Sequence, residues 1–220
     1  MLYHLTDIPV SETVRYALGA QLPTEIPAFF LKKAQSAADK LLSVCSPSYC
    51  YRIFPSESLE EIMIGKDIKA HLQGSSRLIL FAATLGSLAD TLIRRSQVTD
   101  MEQALWLDAA ASAAIEQLCD RVQEQLSLEL HYGLTDRFSC GYGDFPLELQ
   151  PQIISALDAG KAIGLSCSSS GMLIPVKSVT AVMGILPQGE SSKNQAVPPC
   201  SLCFLKGNCQ LRRKGVFCGK

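Results

Sequence analysis

The sequence predicts an α+β fold in which helices pack on a mostly antiparallel, twisted sheet. The chain has 220 residues, and 47% of them are hydrophobic, which is enough for one domain with a sizeable core. The order of its helical and strand-like segments is that of helices covering a sheet. The composition changes after Leu186. We therefore predict a main domain at 1–186, a linker at 187–199 and a short cysteine-rich tail at 200–220.

The first half of the main domain is expected to supply helices and strands in alternation. Residues 9–20, which open with Pro9, and residues 25–45 predict helices. The aromatic-rich "SYCYRIFP" predicts a strand, and "SLEEIMIGKDIKAHL" predicts a partly helical stretch. The apolar run Leu78–Ala82 predicts a buried strand that runs into a glycine turn.

The second half is expected to be mainly helical, with strands near its end. Helices are predicted at about Ser87–Ser96, Met101–Leu130 and Glu148–Leu157. Two strand-like segments, "AIGLS" and "KSVTAVMGIL", flank the loop "CSSSG". The segment "PQGESSKNQAVPP" has the composition of a linker.

Charge and terminal sequence limit the classes of partner. The chain has 20 basic and 21 acidic residues and a pI near 6.3, without the basic stripe that nucleic-acid binding requires. The N-terminal "MLYHLTDIPVSET" does not resemble a secretory signal, and the longest apolar runs are too short to span a bilayer. These observations predict a cytoplasmic protein that binds neither nucleic acid nor membrane.

Four cysteines lie close together in the tail. Cys200, Cys203, Cys209 and Cys218 are separated by two, five and eight residues. Disulfides rarely persist in the cytoplasm, so four clustered thiols favour a metal. The second half is not a C-x-x-C pair and no histidine is near, which favours a 4Fe-4S iron–sulfur cluster over zinc. Zinc, or thiols without a ligand, are the alternatives.

The stretch "RFSCGYGDFP" raises a choice between a surface turn and a ligand cradle. Gly141 and Gly143 allow the backbone to turn sharply and to approach a ligand closely. Arg137 offers a forked, permanently charged donor that suits a carboxylate. Tyr142 offers a flat ring and a hydroxyl group. The alternative is a glycine turn with Tyr142 packed in the core.

Several segments together resemble a known family. They are "RFSCGYGDFPLELQ", "IGLSCSSSGMLIPVKSVTAVMG", "TVRYALGA", "LILFAATLGSLADTLIRR" and "ALWLDAAASAAIEQLCDRV". By their sequences and their order along the chain they resemble the activation domain of cobalamin-dependent methionine synthase, and most closely the stand-alone proteins similar to it. The resemblance covers residues 9–186 and implies a C-shaped α+β domain that binds S-adenosylmethionine.

The resemblance also implies roles for the residues of the motif R-x-x-x-G-Y. Arg137, Gly141 and Tyr142 occupy its defined positions, and the arginine is expected to hold the methionyl carboxylate. The intervening backbone, including Ser139 and Cys140, is expected to receive the adenine and amino ends of the ligand.

Two positions depart from the family pattern, and two further residues have open roles. Cys140 stands where the family often has proline, which leaves the turn looser, and "LSCSS", Leu165–Ser169, stands where the family tends to have "LTES". Glu116, on the long helix, either faces the ammonium or sulfonium group of the ligand or is a solvated helix residue. Lys177, in "PVKSVTA", either belongs to the family pattern or caps a strand end.

The resemblance implies a function in trans. The protein would present S-adenosylmethionine for the reductive methylation of cob(II)alamin carried by a methionine synthase that lacks its own activation domain. A cluster in the tail could deliver the electron from a donor. One alternative is an iron–sulfur reductive activator of another corrinoid protein that does not use S-adenosylmethionine. A second is an interaction module whose tail is stapled by zinc. Whether the protein is itself an enzyme stays open.

Overall fold

The structure is a computed structural model that describes residues 1–19, 25–187 and 207. The predicted cysteine tail and nearly all of the linker therefore lie outside the described residues. The helices of the described part are α1 Val10–Leu18, α2 Ala28–Leu42, α3 Lys66–His71, α4 Ser87–Thr99, α5 Met101–Leu130, α6 Gln150–Leu157 and α7 Ala159–Ile163. The strands are β1 Ser48–Pro55, β2 Arg77–Thr84, β3 Ser166–Cys167, β4 Leu173–Ile174 and β5 Ser178–Ile185.

The main sheet is antiparallel, with β2 between β1 and β5. Tyr51 lies opposite Phe81, which lies opposite Ala181. All of β2 except Arg77 is buried, because this central strand is covered on both faces. A strand covered in this way has a continuous run of apolar residues.

Helices cover both faces of the sheet. Ile79 and Phe81 face a core built with α1, α2, α4 and α5, whereas Leu78 and Leu80 face a second core built with α3, α6 and α7. Successive side chains of a strand point to opposite faces, so one strand supplies both cores. The predicted α+β fold with helices on an antiparallel sheet is confirmed.

Helix α5 is the longest helix of the described part, and its predicted bounds are confirmed. The Asp100 side chain caps its N-terminus by accepting a hydrogen bond from the backbone N–H of Gln103, and His131 ends it in the left-handed conformation (φ 56°). Its buried alanines, such as Ala110 and Ala114, let it pack against α1, α2 and α4. No helix in the described ranges, α5 included, is long and apolar enough to cross a membrane.

The strand predicted at "AIGLS" is wrong. Ala162 and Ile163 belong to α7, and Gly164 ends that helix in the left-handed region (φ 68°). Only Ser166 and the following cysteine pair with β4, in a hairpin whose two strands are each two residues long. The run of apolar residues is too short for its periodicity to separate a strand from a short helix.

Candidate functional site

The segment 134–138 is fastened to the free edge of β5. The N–H of Thr135 donates to the carbonyl of Gly184 (2.9 Å), and the N–H groups and carbonyls of Phe138 and Val182 exchange hydrogen bonds of 3.0 and 2.8 Å. Phe138 points into the second core. Arg137, its neighbour, therefore points toward α5 on the other face, since side chains alternate along an extended segment.

Arg137 meets three polar side chains of α5. Its Nη2 donates to Glu116 (3.1 Å) and to Asp120 (2.6 Å), and its Nη1 donates to Gln123 (2.7 Å). Its side chain is 17% exposed, whereas those of Glu116 and Asp120 are 47% and 68% exposed. Burial alone would lower the pKa of Arg137, but its acidic surroundings outweigh burial and raise it. A permanent cation therefore lies beneath two carboxylates that reach solvent.

These side chains belong to one face of α5. Residues four apart on a helix lie above one another, and the residues that meet Arg137 continue a row toward the N-terminus. We call this row the α5 polar stripe; it consists of Asp108, Ser112, Glu116, Asp120 and Gln123.

A second cation meets the other end of the α5 polar stripe. Lys177 Nζ lies 2.9 Å from the Asp108 carboxylate and donates to Ser112 Oγ (3.0 Å). The backbone N–H groups of Val176 and Lys177 donate to the carboxylate of Asp90 at 2.6 and 3.3 Å. Lys177 thus clamps the start of β5 to α5, which goes further than the expected strand cap.

Helix α1 places Tyr16 near Glu116. Tyr16, in the segment "TVRYALGA", has its pKa raised by burial and by the negative charge of Glu116. The structure therefore brings together Arg137, Glu116 and one of the segments that carry the resemblance. Glu116 is not a residue surrounded only by solvent, since it accepts a hydrogen bond from Arg137.

We call residues 137–146 the Arg137 turn. Gly141 has φ 88°, and its N–H donates to the carbonyl of Phe145 (2.8 Å). The N–H of Tyr142 donates to the carbonyl of Ser139 (3.2 Å). Tyr142 is 62% exposed, so the alternative in which it packs in the core is wrong. Backbone hydrogen bonds close this turn although the proline of the family is absent.

Cys140 points away from the α5 polar stripe. Its side chain is buried in the second core with Phe138 and Phe145, and burial raises the pKa of its thiol to about 12. At neutral pH the thiol is therefore protonated. The backbone of Ser139 and Cys140 stays the predicted contact for a ligand, and the Cys140 side chain serves the core.

Leu147, which follows the Arg137 turn, lies between that turn and the segment "IGLSCSSSGMLIPVKSVTAVMG". A Cβ atom on Gly171 (φ 80°) would lie 2.9 Å from Leu147 Cγ, and one on Gly141 would lie 3.7 Å from Leu147 Cδ1. In this hairpin tip the hydroxyl groups of Ser168 and Ser170 are 2.8 Å apart, and Ser168 Oγ accepts from the N–H of Met172. Where the family tends to have "LTES", these serines therefore hold the hairpin tip together.

Sequence reasoning found Arg137 and Glu116 but missed Asp120 and Gln123. The signal was present, because polar residues recur at intervals of four or three in an alanine-rich helix. Their convergence on Arg137 depends on a strand edge and a helix face that meet only in the fold.

Within the described residues the cysteines are not grouped. Cys45, Cys50, Cys119, Cys140 and Cys167 are all free thiols, and three of them are buried. In that part of the chain no group of three or more His, Cys, Asp or Glu side chains could hold a metal. The expected ligands Cys200, Cys203, Cys209 and Cys218 lie outside the described residues.

Comparison with known proteins identifies the fold. No protein-family model matches the sequence, and no curated protein matches it. The structure is similar to the crystal structure of the MetH reactivation domain bound to AdoHcy (S-adenosylhomocysteine), with a TM-score of 0.59 and 15% sequence identity. The match covers 96% of this chain and 85% of that one. The resemblance to the methionine synthase activation domain is confirmed at the level of the fold.

Proposed function

We propose that this protein binds S-adenosylmethionine at the Arg137 end of the α5 polar stripe. In this proposal it supports the reductive methylation of cob(II)alamin on a cobalamin-dependent methionine synthase that lacks its own activation domain. The observation that carries the proposal is the junction of Arg137 with Glu116 and Asp120 beside the Arg137 turn. The similarity of the fold to a reactivation domain that binds AdoHcy supports it.

The charges of this junction complement those of S-adenosylmethionine, which carries a carboxylate, an ammonium and a sulfonium group. Among the described residues, hydrogen bonds engage three of the five N–H donors of Arg137. The Nε–H and one Nη1–H are left, on different edges of the guanidinium, so the ligand carboxylate accepts a single charge-assisted hydrogen bond from Arg137. Glu116 and Asp120 are exposed enough to attract the cationic groups.

The role of the protein in this proposal is positioning. S-adenosylmethionine supplies the methyl group, and the cobalamin stays on the partner protein. The chain holds the ligand beside surface side chains, since Tyr142 and Met172 are both exposed and their segments meet at Leu147. Fixing a methyl donor at the surface of a docked partner removes much of the entropic cost of the transfer.

The cysteine tail remains part of the proposal. Four thiolates at the spacing of Cys200, Cys203, Cys209 and Cys218 fit a 4Fe-4S cluster, with zinc as the alternative. Protein purified without oxygen should be brown and contain iron, and Cys203→Ser should lose both colour and iron. Colourless protein with one zinc per chain would show that the four cysteines bind a structural zinc ion and not an iron–sulfur cluster.

The reactivation role is tested by following cob(II)alamin spectroscopically. The assay contains this protein, a one-electron reductant and a methionine synthase from which the activation domain has been removed. S-adenosylmethionine is either added or omitted. The proposal predicts that cob(II)alamin is lost as methylcobalamin forms, and only when both this protein and S-adenosylmethionine are present. Reduction that proceeds equally without S-adenosylmethionine would instead support the reductive activator.

A further inference from the structure

The Arg137 turn is fastened to the N-terminus of α3. The carboxylate of Asp144 accepts hydrogen bonds from the backbone N–H groups of Lys66 (2.6 Å) and Asp67 (3.0 Å), which open that helix. These two N–H groups, the first-named more strongly, lower the pKa of Asp144. The carboxylate is therefore ionised at neutral pH and satisfies N–H groups that have no partner within the helix.

Two glycines allow this contact to be close. Gly65 (φ 133°) and Gly143 (φ 54°) both have backbone conformations that favour glycine. A Cβ on Gly65 would collide with the carboxylate of Asp144, and a Cβ on Gly143 would collide with that of Asp67. The contact is thus reciprocal, with an aspartate from each segment lying over a glycine of the other. The second glycine of "GYG" serves this contact.

The other end of α3 holds the chain just before the Arg137 turn. His71, the last residue of α3, donates a hydrogen bond from Nε2 to the carbonyl of Asp136 (2.7 Å). Its ring also lies 5.1 Å from that of Phe138. Helix α3 therefore contacts the chain on both sides of Arg137 and Tyr142.

We propose that α3 is a brace that keeps the Arg137 turn in its ligand-binding conformation, and that Asp144 and His71 are positioning residues for S-adenosylmethionine. This inference rests on the proposed function. Between the two contact points the turn is exposed at Gly141, Tyr142 and Gly143. When only a fraction of molecules has the competent turn, the apparent dissociation constant rises by the inverse of that fraction.

The test compares Asp144→Ala and Asp144→Asn with the matched control Glu148→Ala, which removes an exposed carboxylate four residues further along the chain. Calorimetry with S-adenosylmethionine should show binding weakened about tenfold by alanine and less by asparagine, which keeps one acceptor oxygen. Hydrogen exchange should accelerate across 137–146 in Asp144→Ala, with β2 and β5 unchanged. Glu148→Ala should match the wild type in both measurements.

Two results would overturn the brace. The first is that Asp144→Ala has the affinity for S-adenosylmethionine and the hydrogen-exchange rates of the wild type. The second is that hydrogen exchange in Asp144→Ala accelerates uniformly across the sheet, which would indicate a general loss of stability. If Asp144→Ala does not fold, His71→Ala is judged by the same criteria. If the wild type does not bind S-adenosylmethionine, the proposed function fails, and the exchange measurement alone decides whether α3 braces the turn.

Discussion

At one end of the α5 polar stripe a lysine meets one carboxylate, and at the other end an arginine meets two. Lys177, 14% exposed, places its ammonium against Asp108 and Ser112, and the strand that follows is clamped to α5. Arg137 is about as buried, but it meets two carboxylates, those of Glu116 and Asp120.

The difference shows how similar components give a structural clamp in one place and a candidate binding site in another. An ammonium is a compact charge that a few acceptors can satisfy, whereas a guanidinium has five donors, two of which are left at Arg137 for a further acceptor. The number of the carboxylates, together with the adjoining glycine turn, is why we propose ligand binding at the Arg137 end.

The largest effect is expected from Arg137→Lys. The lysine keeps the charge but loses the donors that the guanidinium leaves for the ligand, so S-adenosylmethionine binding should weaken by about tenfold to a hundredfold, with little change in melting temperature. Calorimetry and thermal unfolding measure the two quantities. Equal affinity in Arg137→Lys would show that only the charge at this position matters and that the two ends of the stripe do not differ in kind.

A smaller effect is expected from Glu116→Gln combined with Asp120→Asn. Both carboxylates attract the sulfonium charge, which S-adenosylhomocysteine lacks. In the double variant the ratio of the affinity for S-adenosylmethionine to that for S-adenosylhomocysteine should therefore fall by about threefold to tenfold. Parallel titrations with the two ligands give this ratio. An unchanged ratio would mean that the carboxylates serve only to hold Arg137.

Lys177→Met tests the structural end. It should lower the free energy of unfolding by about 1 kcal/mol, a modest value because Asp108 is more than half exposed. S-adenosylmethionine affinity should not change. The matched control is Lys161→Met, which removes an exposed lysine 3.5 Å from Asp158 and should leave stability unchanged. Lost affinity in Lys177→Met at normal stability would make both ends part of the binding site.

The smallest effect concerns the thiol within the Arg137 turn. Because burial raises the pKa of Cys140 to about 12, the folded protein should not be alkylated there by iodoacetamide at pH 8, since the thiolate is the reactive form. Mass spectrometry of the digested protein measures this, and denatured protein provides the control. Rapid labelling of Cys140 in the folded protein would show that the side chain faces the site and not the core.

Elements with a long apolar pattern could be predicted from the sequence. The bounds of α5 and of β1 follow from periodicity and from aromatic and β-branched content. The strand predicted at "AIGLS" was wrong, because the helix there is short and its end depends on the conformation of Gly164.

The candidate site was predictable only in part. Arg137 follows from the resemblance and Glu116 was predicted only as one of two alternatives, but the pairing of Asp120 with Arg137 requires the register between a sheet edge and a helix face. The contact between Asp144 and Lys66 joins residues 78 positions apart. No local sequence pattern predicts such a contact, because it is produced by the packing of the whole domain.

The most direct test of the central claim is calorimetry of S-adenosylmethionine with the wild type, Arg137→Ala and the matched control Arg94→Ala, an exposed arginine of α4. We predict that the wild type and Arg94→Ala bind the ligand with equal affinity and that Arg137→Ala remains folded but loses binding. Undiminished binding by folded Arg137→Ala, or no binding by the wild type, would contradict the central claim.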